Sequence, residues 1–544
     1  MLDPILPATR VAAMRDAGYW RDRVITDCLD RWAAGRPDAV AVVTYNSERD
    51  SREVLTYGEL KARSDEAAVA LVQMGVDVGD VVAFQLPNWW EFIALHLACV
   101  RIGAVSNPLM PIFRQRELAF MLRFCDAKVL VVPRRFRGFD YPAMVADLRA
   151  GLPALEHLLV VDGGGETDAS RLFCPVEPAQ IEDLSAQRPA DPNRVIQLMY
   201  TSGTTGEPKG VMHTSNTLLC GVDAYVEALG ITPDDVCYMA SPLAHQTGFM
   251  YGMVMPLMLG TRLVMQDIWN ADAAWPVLAR EGVTFTMAST PFLADLNGSP
   301  LAREHHDGTF RMFMCGGAPI PQILLESVTE NLGIAAIAGW GMTEIGVVTA
   351  ARPGDPMDKI VGTDGRPFTG TEVRVVDAAG VPQPPGVEGA LQARGMTQCV
   401  GYLKKPELYG TDAEGWFDTG DLARMDEDGY IRICGRSKDI IIRGGENVPV
   451  AEVEEELYRH PAVVDAAVVA MPDARLGERG CAFVTVKPGA QFDLAALRAH
   501  LEAAGMARHF WPERVEVVAQ MPRTASGKIQ TFVLRDKAQR LAAQ

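Results

Sequence analysis

The sequence predicts a large α/β domain with parallel-rich sheets, followed by a smaller α+β domain. Its 544 residues exceed what one hydrophobic core usually serves, so we expect at least two domains. Over most of the chain, apolar runs of about five residues alternate with amphipathic stretches of about ten, which is typical of strand–helix repeats in parallel sheets. Charge density then rises after a Gly-rich segment near residue 437. These observations predict domains at residues 1–436 and 437–544.

The α/β alternation can be followed segment by segment in the first domain. It runs through VVAFQLP, EFIALHLACVRIG, AVSNPLMP, ELAFMLRFCDA and KVLVVPR, and resumes from RVIQLMYTSG to FRMFMCGG. From about residue 360 the sequence pattern changes. The segments EVRVVD, GALQAR and YIRICGR are typical of short strands, and they are joined by segments rich in the turn residues Gly, Pro and Asp. Such turns favour antiparallel hairpins, so we expect a small β subdomain here.

The second domain contains segments of both kinds. PVAEVEEELYRH and DLAALRAHLEAAG have the apolar periodicity of helices, and AVVDAAVVAMP and CAFVTVKPG are typical of strands. The Gly-rich segment that precedes them is a natural boundary. We therefore predict a small α+β domain whose junction with the first domain falls at residues 436–439.

Composition narrows the class of protein. The 51 basic and 69 acidic side chains give a net charge of −18, which disfavours binding to nucleic acid or anionic lipid. The N-terminus lacks the apolar core of a signal peptide, and the longest apolar stretch, TGFMYGMVMPLMLGT, is short and broken by Gly and Pro. The ten cysteines form no C-x-x-C pair. We expect a cytoplasmic protein with no membrane span, in which this stretch is a buried core element.

A hydroxyl- and glycine-rich loop, YTSGTTGEPKG, follows an apolar strand at residues 200–210. Glycines let backbone N–H groups turn toward a ligand, and hydroxyls add donors, so the composition suits an anion. It is not a P-loop, because Gly210 rather than Ser or Thr follows the lysine. The alternative is a flexible surface loop. The candidate binding residues are Thr201, Ser202, Gly203, Thr204, Thr205, Gly206 and Lys209.

A second motif, GWGMTE, occupies residues 339–344. Thr343 offers a hydroxyl to a phosphate, Glu344 a hard oxygen ligand to Mg²⁺, and Trp340 a face for stacking. The alternative is a helix start in which the Thr and Glu are caps.

A third pair of candidates lies near the end of the first domain. Asp421 is expected in a turn between strands, and Arg436 at the end of the next strand. A carboxylate accepts both hydroxyls of a ribose, and an arginine binds sugar or phosphate with parallel donors. The alternative is a hairpin salt bridge of little energetic weight.

The fourth motif is PRTASGKIQ, which carries Lys528 close to the end of the chain. Read alone, Lys528 is a solvated surface lysine in a polar turn. In this order, however, the four motifs resemble those of the adenylate-forming enzymes, the superfamily of acyl-CoA synthetases, amino-acid adenylation domains and firefly-type luciferases. The resemblance extends from about residue 25 to about residue 535.

The resemblance implies a role for each candidate in binding ATP. The Ser/Thr/Gly loop would wrap the β- and γ-phosphates, Thr343 would contact the α-phosphate, Glu344 would bind Mg²⁺, and Asp421 with Arg436 would hold the ribose. Adenine would lie between Trp340 and the GGAP segment at 316–319. Further cofactor-binding candidates are Gly317, Ala318, Pro319, Gly341 and Met342.

The implied reaction has two steps. A carboxylate attacks the α-phosphorus to give acyl-adenylate and pyrophosphate, and coenzyme A then displaces AMP to form a thioester. Lys528 would be delivered to the reacting groups when the small domain closes, with Lys438 as the hinge. Gly444 and Gly445 resemble residues beside a pantetheine tunnel. The predicted catalytic set is Lys528, Thr343, Glu344 and His245.

The segment SPLAHQTGF bears on the identity of the acid. Amino-acid adenylation domains carry an aspartate there for the substrate ammonium, whereas this chain has none, which makes an amino acid a poor candidate. His245 resembles a residue that gates or lines the acyl pocket, and a structural histidine is the alternative. The candidate pocket walls are Met287, Ser289, Thr290, Gly316, Gly339, Met342 and Val347.

The opening segment, AGYWRDRVITDCLDRWAAGRPDAVAVV, is similar to cyclohexanecarboxylate-CoA ligases and their medium-chain relatives. It implies an alicyclic or medium-chain acid, with an aryl acid such as benzoate as the alternative. A carrier-protein thiol in place of CoA, a homodimer, and a non-catalytic binding protein with the same fold also stay open at this point.

Overall fold

The computed structural model describes residues 2–201, 208–317, 320–437, 440–443, 446–473, 475–524 and 527–542, with residues 446 and 447 described for their backbone alone. The helices are α1 (Ala8–Asp16), α2 (Ile25–Gly35), α3 (Tyr57–Gln73), α4 (Trp90–Ile102), α5 (Gln115–Phe124), α6 (Tyr141–Leu148), α7 (Pro178–Gln187), α8 (Ser215–Leu229), α9 (Met255–Leu259), α10 (Ala271–Glu281), α11 (Thr290–Gly298), α12 (Ala302–His305), α13 (Gln322–Leu332), α14 (Met357–Gly362), α15 (Val450–Arg459), α16 (Leu494–Ala503) and α17 (Thr531–Ala542).

The strands alternate with these helices, as the sequence predicts. They are β1 (Val40–Asn46), β2 (Ser51–Thr56), β3 (Val81–Phe84), β4 (Val105–Pro108), β5 (Val129–Pro133), β6 (Arg135–Phe136), β7 (Phe139–Asp140), β8 (His157–Val161), β9 (Val195–Thr201), β10 (Lys209–Thr214), β11 (Val236–Met239), β12 (Arg262–Gln266), β13 (Phe285–Ala288), β14 (Met312–Gly316), β15 (Ala335–Met342), β16 (Gly346–Ala350), β17 (Arg366–Pro367), β18 (Thr371–Val376), β19 (Gly389–Gly395), β20 (Phe417–Met425), β21 (Ile431–Arg436), β22 (Ile441–Arg443), β23 (Glu446–Val448), β24 (Val463–Asp473), β25 (Gly477–Val486) and β26 (Arg514–Val517).

Two parallel-rich sheets form the large α/β part of the molecule. One has the strand order β10-β9-β4-β3-β5-β8 and is parallel except at β9–β10. The other has the order β17-β16-β15-β14-β13-β11-β12-β1-β2, with antiparallel pairs at its two ends. Their central strands are buried on both faces, which explains their continuous Val, Leu, Phe and Met runs. The fold class predicted from the sequence is confirmed.

Helix boundaries in this part follow from local chemistry. Thr56 caps α3, and Glu59 completes a capping box by accepting from the backbone N–H of Thr56. Gly103 ends α4 with φ +74°, in the left-handed region that favours glycine. These caps fix where the connecting loops leave the two sheets.

The predicted β subdomain and C-terminal α+β unit are both present. The strands β18-β19-β20-β21 form an antiparallel sheet. Further on, β22 to β26 form one sheet that packs with α15 and α16 around its own apolar cluster. In this unit α15 contacts the large part of the molecule, because the Glu455 carboxylate accepts from the backbone N–H of Gln322 at 2.9 Å.

The longest apolar stretch is a buried core element, as expected. Residues Gly248–Val254 form a π-helix that continues into α9, and every residue of the π-helix is buried. Among the described residues, no helix combines the length and the apolar character needed to cross a bilayer. Wide π-turns occur often at functional sites, and this one begins three residues after His245.

Candidate active site

The predicted phosphate loop connects two antiparallel strands at the edge of the six-stranded sheet. Thr201 ends β9 and pairs with Lys209, the first residue of β10. The Lys209 ammonium lies 4.9 Å from the centroid of the Tyr402 ring, a cation–π arrangement. The sequence correctly predicts the strand before this loop, and Ser202, Gly203, Thr204, Thr205 and Gly206 lie outside the described residues.

Glu344 lies in the turn between β15 and β16 and is buried. The turn joins two antiparallel strands, so the alternative of a helix start is wrong. The Tyr402 hydroxyl donates to Glu344 Oε1 at 2.8 Å, and the Cys399 N–H donates to the Glu344 backbone carbonyl at 2.7 Å. Burial raises the pKa of the Glu344 carboxyl, while the Tyr402 hydrogen bond opposes that rise. A positive ion placed here would hold the carboxylate in its charged form.

A histidine fixes the backbone beside Glu344. His213, on β10, directs its Nε2 at the Thr343 carbonyl at 2.8 Å, so this nitrogen carries the proton. Burial lowers the pKa of His213 to about 4, which keeps the imidazole neutral. The Thr343 hydroxyl therefore sits on a backbone that is tied to the strand leaving the phosphate loop.

Asp421, Arg436 and Trp340 meet at the junction of the nine-stranded and four-stranded sheets. The Trp340 indole donates to Asp421 Oδ2 at 2.8 Å, and Arg436 Nε donates to Oδ1 at 2.9 Å. Asp421 is 5% exposed, while the Arg436 side chain is 52% exposed. The carboxylate is thus held on both oxygens, and each oxygen retains a second lone pair for a ligand.

The expected position of Asp421 in a turn is wrong. Asp421 lies within β20 and is the direct cross-strand partner of Arg436. The error has a physical cause, because Gly420 has φ +73° and the ladder shifts between Leu422 and Ala423. A bulge inside a long strand uses the same residue types as a turn. The salt bridge of the alternative interpretation exists, and it does not occupy the remaining lone pairs.

Lys528 reaches the same place from the C-terminal unit. A Cβ built on Gly317, which has φ +84°, would lie 3.6 Å from Lys528 Cε, so the lysine stem passes along this glycine. Lys528 is partly buried, and burial together with the neighbouring Arg436 cation lowers its pKa, whereas Asp421 and Glu344 oppose that effect. The four charged candidates from distant parts of the sequence therefore converge on one region.

The turn that carries Lys528 is held by Arg523. This guanidinium donates to the Gly527 carbonyl at 2.5 Å and to Asp465, on β24, at 2.5 Å. The Lys528 N–H donates to the Thr524 hydroxyl, and the Thr524 N–H to the Lys528 carbonyl. The turn is thus tied to the sheet of the C-terminal unit.

His245 lies in the loop before the π-helix, close enough to Lys528 for the two groups to interact electrostatically. Burial lowers its pKa to about 3, with Lys528 contributing in the same direction. The Thr247 N–H donates to His245 Nδ1 at 3.3 Å, so the neutral ring carries its proton on Nε2. A neutral imidazole lines a pocket or donates one hydrogen bond, and it does not supply positive charge.

Glycines at and beside the candidate wall positions face methionines and tyrosines. Cβ atoms at Gly316 and Gly339 would contact Met287 and Met314, and one at Gly346 would lie 3.1 Å from Met250 Sδ. The surrounding rings are Tyr225 and Tyr251, whose centroids are 4.2 Å apart, and the Tyr225 hydroxyl donates to Met287 Sδ at 3.5 Å.

The predicted walls do not all belong to one surface. Val347 and Met287 are part of the large core, whereas Met342 packs beside Trp340 against the four-stranded sheet. Ser289 and Thr290 form the junction of β13 and α11.

Several predicted residues lie outside the described part of the chain: Ala318, Pro319, Lys438, Gly444 and Gly445. Within the described part, no group of three or more His, Cys, Asp or Glu side chains is arranged as a metal site. A Mg²⁺ held by one carboxylate, waters and substrate phosphates needs no such group, and buried Glu344 fits that ligand set.

Sequence reasoning missed three residues that position the candidates, namely Tyr402, His213 and Arg523. Tyr402 lies in the segment GYLKKPE, and Arg523 lies in PRTASGK, the motif that carries Lys528. His213 lies four residues after Lys209 on the same strand, β10. None of these positions has a residue type that by itself indicates contact with a carboxylate, a carbonyl or a turn.

Comparison with protein families gives two matches along the chain. Residues 29–403 match the AMP-binding enzyme family, and residues 452–528 match the AMP-binding enzyme C-terminal domain. Among curated relatives, a medium-chain fatty-acid–CoA ligase of Escherichia coli (strain K12) is 38% identical over 539 residues, covering 98% of this chain and 94% of the relative. A salicylyl-CoA synthase / salicylate adenylyltransferase of a Streptomyces species is 36% identical, covering 96% and 95%.

Solved structures share the whole fold. An anthranilate CoA ligase in complex with anthranoyl-AMP superposes with a TM-score of 0.84 at 26% identity, over 96% of this chain and 98% of that one. The ATP-bound MatB of Rhodopseudomonas palustris gives a TM-score of 0.81 at 29% identity, over 96% and 100%.

Proposed function

Because the chain belongs to the AMP-binding enzyme family and is an AMP-forming acid–thiol ligase, we propose that its preferred acid is apolar and of modest size, alicyclic or medium-chain. The observation that carries the assignment of the site is the convergence of Lys528 with Glu344, Asp421 and Arg436. The C-terminal part of the chain would thus bring a cation to the place where the carboxylate of the acid and the α-phosphate of ATP must react.

In the first step, a carboxylate oxygen of the acid attacks the α-phosphorus of ATP, and the bond to pyrophosphate breaks. Both reactants are anionic, so alignment and charge neutralisation supply most of the acceleration. Lys528 would donate to the developing charge between the carboxylate and the α-phosphate. Thr343, held by His213, would donate its hydroxyl to an α-phosphate oxygen.

Groups on the nine-stranded and four-stranded sheets, together with the phosphate loop, would orient the nucleotide. Asp421 would accept from the ribose hydroxyls through its remaining lone pairs, with Arg436 beside it. Trp340 would stack on adenine, with Gly317, Ala318, Pro319 and Gly341 around the base. The phosphate loop, from Thr201 to Lys209, would hold the β- and γ-phosphates. Mg²⁺, when bound, screens the phosphate charge, and the Glu344 carboxylate held by Tyr402 would be its protein ligand.

In the second step, the thiol of coenzyme A attacks the acyl carbonyl, loses its proton, and expels AMP. We assign the hinge for the required reorientation to Lys438, and the approach of the pantetheine to Gly444 and Gly445. This assignment divides the chain into residues 1–436 and 437–544. A carrier-protein thiol is the alternative acceptor, and product formation without added CoA but with a carrier protein would favour it.

The acid assignment rests on the side chains around the pocket. Methionines are flexible and polarisable, so they adapt to an aliphatic ring or chain. The segment from Leu243 to Gln246 contributes no carboxylate, and an ammonium buried there would lack a partner. His245, neutral at all ordinary pH values, would line the pocket entrance.

A second candidate, an aryl acid, is favoured by one polar side chain. Gln246 is 4% exposed and accepts from Gln197 Nε2 at 3.1 Å, yet its own Nε2 has no hydrogen-bond partner within the described part of the chain. A hydroxyl oxygen on an aromatic acid would accept from this donor. The salicylate and anthranilate substrates in the names of two similar proteins belong to the class of aryl acids.

The test is pyrophosphate release with ATP and Mg²⁺ across C4 to C10 linear acids, cyclohexanecarboxylate, benzoate and salicylate, followed by thioester formation with CoA. We expect the highest kcat/KM among the aliphatic acids. A preference for salicylate over benzoate that disappears in Gln246→Leu would replace the aliphatic assignment with the aryl one. Absence of pyrophosphate release with every acid would contradict the whole proposal.

A further inference from the structure

We propose that Trp340 is a positioning residue for the ribose site, and that its indole N–H sets the selectivity of Asp421 for ribose over deoxyribose. This inference rests on the proposed role of Asp421. It begins from one contact, the 2.8 Å hydrogen bond from Trp340 Nε1 to Asp421 Oδ2. The bond joins β15 of the nine-stranded sheet to β20 of the four-stranded sheet, across 81 positions of sequence.

The contact is buried and charge-assisted, which gives it energetic weight. Trp340 is 7% exposed and Asp421 5% exposed, so water does not compete freely for either atom. Hydrogen bonds to charged groups are stronger than neutral ones. Arg436, the other partner of this carboxylate, has a side chain that is 52% exposed. The indole is therefore the better-shielded of the two anchors.

The two anchors together fix the orientation of the carboxylate. Arg436 Nε binds Oδ1 and Trp340 Nε1 binds Oδ2, so rotation about the last side-chain bond would break both hydrogen bonds. A fixed carboxylate presents its two free lone pairs in fixed directions. Recognition of a vicinal pair of hydroxyls depends on that geometry, because a misdirected acceptor loses one or both bonds.

This role is compatible with stacking on adenine. The indole N–H lies in the plane of the ring, so donation to Asp421 leaves the ring face unused. The other surroundings of Trp340 are apolar, comprising Ile345, Val348 and residues of the four-stranded sheet. One side chain can therefore hold both the base and the acceptor for the sugar. A phenylalanine would keep the face and lose the donor.

The test is the Trp340→Phe variant. Calorimetry in the presence of Mg²⁺ measures the dissociation constants of ATP, 2′-deoxy-ATP and 3′-deoxy-ATP. From these we take two ratios, each the dissociation constant of one deoxy analogue divided by that of ATP. We expect ATP to bind about tenfold more weakly, and at least one deoxy analogue to be almost unaffected, so that the corresponding ratio falls toward one. A loss of stacking or a general loosening would weaken all three nucleotides equally and leave both ratios unchanged. Unchanged ratios overturn the inference.

Trp416→Phe is the matched control. Trp416 is also 7% exposed, directly precedes β20, and packs between the guanidinium groups of Arg374 and Arg394. Its replacement should alter neither ratio. Asp421→Ala separates the two proposals: if it retains the wild-type ratios, Asp421 does not bind the ribose, and the proposed function loses that element. If Asp421→Ala brings the ratios to one while Trp340→Phe leaves them at their wild-type values, only the present inference fails.

A spectroscopic measurement covers the case in which Trp340→Phe does not fold. In ¹⁵N-indole spectra, a Trp N–H bound to a carboxylate should shift when Asp421 is replaced by Asn. We expect one indole resonance to move in Asp421→Asn, and the same resonance of the wild type to respond differently to ATP and to a deoxy analogue. An identical response to ATP and both analogues would overturn the inference.

Discussion

Replacing Lys528 by alanine should impair the two half-reactions unequally. At an effective dielectric of about 20, a unit charge about 4 Å from an anionic oxygen contributes about 4 kcal/mol. Lys528 is only partly buried and lies near Arg436, so we reduce this to about 3 kcal/mol, which is roughly a 150-fold loss in adenylation. Loss of one preorganised donor at a developing charge has effects of this order in other enzymes.

The assay measures each half-reaction separately. Pyrophosphate release from ATP and acid reports the first, and thioester formation from supplied acyl-adenylate and CoA reports the second. We expect Lys528→Ala to lose the first and to retain the second within about twofold. Lys487→Ala is the control, because Lys487 is an exposed lysine of the same C-terminal unit. It should leave both rates unchanged.

Equal loss of both half-reactions in Lys528→Ala would refute the reasoning. It would mean that the lysine stabilises the closed arrangement as a whole instead of acting on the adenylation chemistry. A loss of less than tenfold in pyrophosphate release would refute it as well, since a cation at the reacting atoms cannot be worth so little.

Three further predictions follow from the contacts of the site. Tyr402→Phe removes the hydroxyl bound to Glu344, so it should raise the Mg²⁺ concentration for half-maximal pyrophosphate release several-fold with little change in thioester formation; an unchanged Mg²⁺ titration would contradict this. His245→Gln should change selectivity among acids but leave the shape of the pH–rate profile between pH 5 and 9 unaltered, because the pKa of His245 is about 3 and the ring is already neutral there; loss of an acidic limb would show that His245 titrates. Arg523→Gln should slow adenylation about tenfold through a less ordered Lys528 turn and spare the thioester step, and equal slowing of both steps would show a merely structural role.

Much of the α/β architecture could be predicted because buried parallel strands leave a direct mark on the sequence. VVAF and VLVVP are continuous apolar runs for the reason that both faces of their sheet are covered. The position of Asp421 was not predictable in the same way. Gly420 interrupts β20 with a left-handed residue, and a glycine beside an aspartate indicates a turn more often than a bulge.

The candidate site could be predicted by residue type but not by contact. Glu344, Asp421 and Lys528 lie in motifs that resemble a known family, and resemblance carries roles along the sequence. The partners that hold them, Tyr402 and Trp340, are 58 and 81 positions away from the carboxylates they bind. No periodicity links residues at such separations, so these bonds follow only from the way the sheets pack.

The acid pocket was the least predictable part. Met342 was a candidate wall, yet its side chain packs with Trp340 toward the four-stranded sheet, whereas the candidate walls Met287 and Val347 belong to the large core. Residues two apart on a strand face the same side of the sheet, so Met342 points in the same direction as Trp340. The large core that contains Met287 also includes Met250, a residue that the sequence did not single out.

Gly527 brings the turn that carries Lys528 into close contact with another part of the molecule. A Cβ at this residue, which has φ +86°, would lie 2.6 Å from Ser289 Oγ and 3.3 Å from Pro291 Cγ, so the turn rests directly on the start of α11. Ser289 is also a candidate wall of the acid pocket. The position of Lys528 in this arrangement therefore depends on a contact with a candidate wall of the acid pocket, and a larger side chain at residue 527 would push the lysine turn away from that wall.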